Sequence, residues 1–434
     1  MKRLMVVAVL FCAMLFVSTA WAQDQATGEE GAAQAARAAA EQPSLQQQID
    51  DLKQRLADYD QLKKRLDELE KKAQASQKNP QQVVEAANKD TKIKIDGRMF
   101  VGVFKTGEQG SFPNSSLDIP DEKIRLTFTP SKDVTIVNRF SNNRAGSNGF
   151  DYFYLDLNNW GGAVPGHVLR VGKFKIDVGQ ETWTDNPVES ILITNSVSHI
   201  SGYDEGINFR GPVGTGAVPV TYSVALMNGN KGVSPSDSGL AWSGKLGALV
   251  TKQLYLSASY LRTGDLVKQD GTLDQPDFDI AEVFNAPTGA TTWNRSLWEA
   301  DARYGYGKEG ISSVVGAPAT VPWQAGAAYG QFTDSATGAP DRTGQYWFVE
   351  GLYNLSPRIY LASRYSDISL DGGALAMLAS SPVAVNDYNR LSIGGGYRIT
   401  PMTHLKVEYT RNTTSGGKTQ PNLDQIAVGV ATKF

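Results

Sequence analysis

The chain has 434 residues, with 42 Lys and Arg against 45 Asp and Glu, a net charge of −3 and a mean hydropathy of −0.30. It has no basic stripe, so nucleic acid is not expected as a partner. Beyond residue 22 no apolar run approaches the ~20 residues that a membrane-spanning helix needs. The single cysteine, Cys12, lies in the N-terminal segment discussed next, so disulfides, thiol catalysis and cysteine–metal sites are excluded from the rest.

The first 22 residues have the three parts of an export signal. Lys2 and Arg3 give a positive start, residues 4–17 are apolar, and the Ala20-Trp21-Ala22 sequence has the small-x-small pattern that signal peptidase cleaves. We therefore expect a signal peptide at 1–22 and a mature chain that begins at Gln23. A retained anchor helix is the alternative, but the apolar run is short for a bilayer of ~30 Å.

Two segments of different composition follow. Residues 23–44 are rich in Ala, Gln, Glu and Gly and are expected to form a flexible leader. Residues 45–79 have apolar side chains at alternating spacings of four and three, with one phase shift, and they predict a coiled coil. The apolar positions are Leu45, Ile49, Leu52, Leu56, Tyr59, Leu62, Leu66, Leu69 and Ala73. A single amphipathic helix is the alternative; Asn79-Pro80 ends the helix, and 80–91 is a linker.

From residue 92 the apolar pattern has a period of two. In one of the clearest segments Leu405 and Val407 alternate with Lys406 and Glu408, and the last strand ends at Phe434. A soluble β-sandwich also alternates, but here the small and charged face recurs throughout and leaves no core between two sheets. The sequence therefore predicts an all-β fold, a transmembrane antiparallel β-barrel at 92–434.

We count about sixteen strands, an even number as bacterial barrels require. They are expected to begin near residues 92, 121, 134, 150, 168, 206, 217, 238, 254, 293, 322, 344, 358, 390, 403 and 425. Tight-turn residues at 129–133, 355–357 and 400–402 predict the periplasmic end, and long polar loops at 264–292 and 366–389 predict the outer end. Both ends of the barrel and the coiled coil then lie in the periplasm. The count is weakest at 306–321.

The polar face of the strands should line a water-filled lumen, because Arg or Lys facing lipid costs ~2–4 kcal/mol at the midplane. The candidate pore-lining residues are Arg98, Arg125, Arg139, Arg170, Arg364, Arg398, Lys406 and Glu408. Their modest excess of arginine predicts a preference for anions. The alternative is that these charges are paired and only keep the interior hydrated and rigid.

Residues 179–205 form the third outer loop and differ from the other loops. They contain the apolar run Ile191-Leu192-Ile193, which would be a liability on the outside of a cell. We expect this loop to fold into the barrel and narrow the pore; contact between subunits is the alternative. Its candidate constriction residues are Asp185, Glu189, His199, Asp204 and Glu205.

The segment 169–174, LRVGKF, and the loop after it resemble the phosphate-selective porin (O/P) family, as do the opening Ile95-Asp96-Gly97-Arg98 and the terminal Phe434. The N-terminal heptads are similar to those of the DcaP-like porins. The resemblance implies a sixteen-stranded trimeric channel for small anions such as phosphate or dicarboxylates. It also implies that Phe434 is read by the barrel assembly machinery. The chain has no dense run of lysines and arginines that would form a phosphate ladder.

The sequence therefore predicts a porin of the bacterial outer membrane that contacts lipid and copies of itself, through the coiled coil and the barrel, and has no cofactor or metal. An outer-membrane hydrolase is one alternative, but none of His167, His199 and His404 is placed beside a nucleophile, and we name no catalytic residue. A structural protein that tethers the envelope through its coiled coil is the other alternative.

Overall fold

The computed structural model describes most of the chain from residue 91 onward. The described residues are 91–108, 110, 112–141, 149–160, 164–197, 199, 202–214, 218–229, 239–267, 287, 290, 292–305, 322–371, 376–378, 381–415 and 422–434, together with 50, 53–54, 63–64 and 67. The six described residues before 91 are helical. The expected signal peptide, leader and linker, and most of the expected coiled coil, lie outside the described residues. None of the helices in the described part is long and apolar enough to cross a membrane.

Sixteen antiparallel strands form a closed barrel in which each strand pairs with its sequence neighbours and the last pairs with the first. They are β1 (Lys92–Thr106), β2 (Ser116–Ser131), β3 (Val134–Ser141), β4 (Gly149–Asn158), β5 (Val168–Lys175), β6 (Tyr203–Pro212), β7 (Val220–Met227), β8 (Ala241–Leu249), β9 (Leu254–Arg262), β10 (Thr292–Tyr304), β11 (Trp323–Ala336), β12 (Arg342–Asn354), β13 (Ile359–Leu370), β14 (Asp387–Arg398), β15 (Thr403–Ser415) and β16 (Gln425–Lys433). Short strands at Leu266–Val267, Ala376–Leu378 and Ser381–Val385 lie in the connections.

The predicted count of sixteen strands is confirmed, and every strand begins within five residues of its expected start. The largest difference is at β2, which begins five residues earlier, at Ser116; β6 begins three residues earlier, at Tyr203. We call the end with the connections 132–133, 250–253, 355–358 and 399–402 the turn end, and the opposite end the loop end. The sequence predicts tight turns at this end, but one connection there is long: β10 stops at Tyr304 and β11 starts at Trp323.

Much of the barrel wall is polar inside and apolar outside, the reverse of a soluble protein. On β15 the outward Leu405, Val407 and Tyr409 are 42%, 51% and 44% exposed, whereas the inward Lys406 and Glu408 are 1% exposed. Only a surrounding apolar phase makes this arrangement favourable. The alternation read from the sequence therefore gives the correct inward and outward faces here.

The two ends of the barrel sequence meet at one seam. β1 pairs with β16 from Arg98↔Lys433 to Thr106↔Gln425. Gly97 and Phe434 then exchange two backbone hydrogen bonds of 3.0 Å. A Cβ at position 97 would overlap the Phe434 ring, so glycine leaves the room that the terminal aromatic ring occupies.

The β5–β6 hairpin leaves the wall and bends into the lumen. Pairing between β4 and β5 stops at Phe153↔Lys173, although β4 continues to pair with β3 as far as Gly149. Gly172, the glycine of the LRVGKF segment, has a φ of +126° at this point, and its register partner is Gly206. Positive φ is readily adopted only by glycine. The bend therefore depends on Gly172.

We expect Gly172→Val to reduce the yield of folded barrel and to lower its unfolding temperature. A side chain at this φ costs about 1–3 kcal/mol, and its Cβ would also overlap the carbonyl oxygen of Phe153. Heat-dependent migration on denaturing gels measures both effects. The control is Gly244→Val on β8, where nothing lies within 4 Å of an added Cβ; equal behaviour of the two variants would contradict the role of Gly172.

Part of the lumen near the loop end is filled by apolar side chains, which the sequence analysis did not anticipate. Inward-facing Trp293, Phe332, Tyr346 and Ile368 are at most 2% exposed. They belong to one buried cluster that extends over β7–β14 and also includes side chains of β3–β5 and of the connection after β5, and we call it the interior apolar cluster. Water is excluded from this sector of the barrel.

Candidate pore

The connection between β5 and β6, residues 176–202, is called the inner loop, and its described residues, 176–197, 199 and 202, lie inside the barrel. Its apolar side chains are buried against the wall. Ile191 and Leu192 pack against Leu352, Tyr360 and Ala362 of β12 and β13. Ile193 and Val188 pack in a cluster with residues of β1 and β16. The predicted infolding of an apolar third loop is therefore what the structure shows.

Glu408 of β15 is a principal anchor of the inner loop. Its carboxylate accepts hydrogen bonds from the backbone N–H groups of Ile193 and Thr194, the second at 2.9 Å, and from the Thr194 hydroxyl. On the same strand the Lys406 ammonium donates to the Ser190 carbonyl at 2.6 Å. Charge-assisted bonds of this kind are roughly twice as strong as neutral ones. Lys406 and Glu408 thus bind the inner loop to the inner face of β15.

Arginines of the neighbouring strands hold the next part of the loop. Arg364 of β13 donates to the Thr194 carbonyl at 2.7 Å and is also bound to Glu350 of β12 at 2.6 Å. Arg390 of β14 donates to the Asn195 carbonyl at 2.8 Å. These backbone carbonyls have no helix or sheet partner, so the arginines satisfy groups that burial would otherwise leave unpaired.

The start of the inner loop is held by β8–β10. Lys245 bonds to the Asp177 carboxylate at 2.9 Å and to the Gly179 carbonyl at 2.6 Å. The N–H of Gln180 donates to Asp301 at 3.1 Å. All of these polar anchors lie on β8–β10 and β12–β15, and the apolar part of the loop also covers Phe100 and Phe104 of β1 and Ala427 and Ala431 of β16. The charged inner faces of β2–β6, together with Arg98 of β1 and Lys433 of β16, remain to border an aqueous path, and we call them the open wall.

Cations on the open wall are direct neighbours across strands. Arg98 of β1 is in register with Lys433 of β16 on one side and with Lys123 of β2 on the other. We call these three residues the cation row. Arg125 and Arg139 are likewise opposite each other on β2 and β3. Like charges placed opposite one another destabilise a sheet, so nearby carboxylates must offset them.

Three aspartates offset the repulsion between these neighbouring cations. Asp121 lies 2.6 Å from Arg98, Asp96 lies 2.7 Å from Arg125, and Asp151 is bound by Lys123 at 2.7 Å and by Arg139 at 2.9 Å. The Arg125 side chain remains 40% exposed, more than the Asp96 side chain at 18%. The cation is thus the more accessible member of this pair.

Tyrosines fix the other arginines of the open wall. The Arg139 guanidinium lies 4.2 Å from the Tyr152 ring centre and 5.5 Å from that of Tyr203. Arg170 lies 3.5 Å above Tyr154 and binds Asp156 through two bonds of 2.7 and 2.8 Å. Stacking on one side and a carboxylate on the other leave each guanidinium a single orientation.

The inner loop places Asp185 and His199 opposite these cations. Asp185 forms an ion pair with Lys175 at the end of β5, and His199 Nε2 lies 3.9 Å from its carboxylate. Burial opposes ionisation of Asp185, but Lys175, His199 and Arg98 outweigh it and hold the pKa of this carboxyl well below its usual range. Glu189 lies 3.7 Å from Lys433 of the cation row. Charged residues of the inner loop therefore lie next to the cation row.

The pore-lining candidates fall into three groups. Arg98, Arg125, Arg139 and Arg170 lie on the open wall. Arg364, Lys406 and Glu408 face inward as expected, but they are covered by the inner loop and anchor it, so they do not line the open wall. Arg398 lies at the turn end and binds Asn354 at 2.8 Å.

The loop candidates need one correction. Asp185, Glu189 and His199 are in the inner loop, but Asp204 and Glu205 are in β6, because the strand begins at Tyr203. Asp204 is fully buried and accepts a bond of 2.7 Å from the Gly229 N–H. Sequence reasoning missed Lys123, Lys175 and Lys433. Lys123 and Lys433 occupy inward positions of the alternation, so strand pairing would have placed them beside Arg98.

His199 predicts a pH dependence of ion selectivity. Burial is the largest influence and lowers the pKa of His199 from its ordinary 6.5, with Lys175 and Arg364 acting in the same direction against Glu181 and Asp185. The ring is therefore neutral at pH 7 and gains a positive charge only below pH 6.5. We expect the anion preference to rise as the pH is lowered below 6.5 and to rise less in His199→Asn. Reversal potentials measure this, and identical pH profiles would contradict it.

No protein-family model matches the sequence, and no curated protein matches it. Solved structures share the fold at low identity. The anion-selective porin from Comamonas acidovorans has a TM-score of 0.53 at 10% identity, over 80% of this chain and 100% of that one. The outer-membrane channel DcaP of Acinetobacter baumannii has 0.51 at 13%, over 79% and 97%. OmpT of Vibrio cholerae, an outer membrane protein, has 0.52 at 9%, over 79% and 99% in its trimer form. The barrel therefore has the fold of the outer-membrane porins.

Proposed function

We propose that the protein is a channel of the bacterial outer membrane for passive diffusion of small hydrophilic solutes, with a preference for anions. The observation that carries the proposal is the division of the lumen. The inner loop occupies one side, and a charged, partly exposed wall borders the other. A barrel used only as an anchor would not need such a wall.

The anion preference rests on the charges of the open wall and of the loop that faces it. Eight cations lie on the open wall and where it meets the loop, each paired with one of six carboxylates. The cations are Arg98, Lys123, Arg125, Arg139, Arg170, Lys175, Arg210 and Lys433; the carboxylates are Asp96, Asp121, Asp151, Asp156, Asp185 and Glu189. Asp118 and Asp204 also face inward on β2 and β6, so the support comes from exposure and not from an excess in number. The Arg125 side chain is more exposed than that of Asp96, and the Arg210 side chain is more exposed than that of Asp156. Accessible fixed positive charge at a constriction attracts anions and repels cations.

Planar-bilayer recording of the purified protein tests the function. Under a salt gradient we expect stepwise openings and a reversal potential biased toward the anion. We also expect a conductance lower than that of an unobstructed barrel of sixteen strands, because the inner loop and the interior apolar cluster occupy part of the lumen. A folded barrel that never conducts would contradict the channel and favour the structural tether.

The partners follow from the same proposal. We propose outer-membrane lipid around the apolar exterior, a homotrimer formed through the coiled coil and the barrel, and delivery by the barrel assembly machinery through Phe434. We propose that the coiled coil lies in the periplasm. Openings in groups of three, with a matching mass in detergent, test the trimer. Hydrolysis of a lipid or peptide by the purified protein would favour the enzyme alternative.

A further inference from the structure

Two contacts of the Arg139 guanidinium come from the neighbouring strand β4. The register of β3 against β4 shifts by one residue at this point, so Asp151 forms a bulge beside Tyr152. Bulges redirect side chains, and here a carboxylate and a ring both meet the same guanidinium. The Asp151 carboxylate lies 2.9 Å from Nε of Arg139, and the centre of the Tyr152 ring lies 4.2 Å from its guanidinium carbon. The wall of the barrel itself therefore supplies these two contacts.

The third contact comes from the infolded hairpin. Tyr203 is the first residue of β6, and its register partner is Lys175, the last residue of β5. Both residues lie beyond the point at which β5 stops pairing with β4. The Tyr203 hydroxyl accepts a hydrogen bond from the Arg139 guanidinium, whose carbon lies 5.5 Å from the centre of the Tyr203 ring. The hairpin therefore reaches the wall at Arg139.

This third contact acts against a repulsion between cations. Arg125 of β2 lies directly opposite Arg139 in the sheet, and Lys123 shares the Asp151 carboxylate with it. Like charges opposite one another repel, which favours a position of Arg139 farther from β2 and nearer the aqueous path. Arg139 is nevertheless only 9% exposed, whereas the Arg125 side chain is 40% exposed. The contacts of Arg139 therefore outweigh the repulsion.

We infer that Tyr203 is a positioning residue for ion selectivity: its hydroxyl holds the Arg139 guanidinium against the wall and keeps that charge out of the aqueous path. The Tyr203 ring makes separate contacts, since it lies 6.0 Å from the Tyr152 ring and 5.8 Å from Nζ of Lys175. Phenylalanine at this position would keep the ring contacts and lose only the hydroxyl. Because Tyr203 belongs to the infolded hairpin, the charge that the wall presents to ions depends on where the hairpin lies.

Chemical modification of arginine tests the positioning directly and does not require a conducting channel. The folded barrel in detergent is exposed briefly to phenylglyoxal, and the modified arginines are located by peptide mass spectrometry. In Tyr203→Phe we expect Arg139 to react about tenfold faster than in the unmodified protein, because a hydrogen bond from a charged group no longer restrains it. Arg358, exposed at the turn end, is the internal reference and should react equally in both. An unchanged rate at Arg139 would overturn the inference.

The reversal potential in a salt gradient tests the consequence for selectivity, and this part rests on the proposed anion preference. A freed guanidinium adds accessible positive charge, so Tyr203→Phe should raise the anion-to-cation permeability ratio about twofold without altering the heat-dependent gel shift. The matched control is Tyr304→Phe, which removes a hydroxyl bound at 2.8 Å to Gln253 on the outer face. An equal shift in both variants, or none in Tyr203→Phe, would contradict the role of the Tyr203 hydroxyl.

A double-variant cycle shows whether Tyr203 acts through Arg139. In an Arg139→Met background, Tyr203→Phe should leave the reversal potential unchanged, because the charge that it releases is absent. A shift as large as in the unmodified background would mean that Tyr203 acts on the aqueous path by itself, which overturns the inference. If the unmodified protein does not conduct, the proposed function fails, while the rate of Arg139 modification still decides whether Tyr203 positions Arg139.

Discussion

Glu408→Ala is expected to give larger and unsteady single-channel currents. The substitution removes the acceptor of three hydrogen bonds from the inner loop, two from backbone N–H groups and one from the Thr194 hydroxyl. Each buried donor left without a partner costs about 1–3 kcal/mol. The segment that contains Ile193 should then leave the wall for part of the time, and the aqueous path should widen several-fold in area while it does. Bilayer recording measures the mean current and its noise.

Two further variants isolate the contribution of these bonds. Glu408→Gln keeps one acceptor oxygen and the side-chain shape, so we expect an intermediate current. Asp367→Ala removes the same charge from the outer face of β13, and its current should equal that of the unmodified protein. If Glu408→Ala folds and conducts like the unmodified protein, then Glu408 does not hold the loop in place.

Replacing the whole cation row is expected to reverse the ion preference. Lys433→Met/Arg98→Met/Lys123→Met removes three positive charges where the open wall meets the inner loop and leaves Asp121 and Glu189 without their cations, whereas Asp151 keeps Arg139. Fixed charge in a low-dielectric cleft changes the local concentration of mobile ions about tenfold or more. We therefore expect the anion-to-cation permeability ratio to fall by about tenfold, read from the reversal potential in a salt gradient.

The matched control for this triple variant removes equal charge from outside the lumen. Lys105, Arg262 and Arg411 are exposed on the outer face near the loop end. Their combined replacement by methionine changes the net charge by the same amount and should leave the reversal potential unaltered. If both triple variants shift it equally, selectivity follows overall charge and not the cation row.

The sequence was most informative where only one face of a strand is apolar. On β15 and β16 the alternation predicts both the start of the strand and its inward face, because lipid contact requires every second residue to be apolar. It was less informative on β10–β12. There Trp293, Phe332 and Tyr346 point inward, so both faces contain apolar residues and the pattern does not show that the lumen is filled.

The candidate site was predicted in part for a similar reason. Linear order shows which charges face the lumen but not what covers them. Lys406 and Glu408 are therefore indistinguishable in the sequence from Arg98 and Arg125, although the first two hold the inner loop and the last two border the aqueous path. The register of β16 against β1, which makes Lys433 a neighbour of Arg98, depends on barrel closure and cannot be read from local sequence.

The interior apolar cluster also has a thermodynamic consequence. Unfolding of a barrel whose lumen is full of water transfers little interior apolar surface into water. Here the inward Trp293, Phe332 and Tyr346 would become hydrated, and hydration of apolar surface gives unfolding a large positive heat capacity change. The free energy of unfolding in detergent should then be a strongly curved function of temperature that decreases on cooling as well as on heating. In calorimetric terms this barrel would resemble a soluble globular domain.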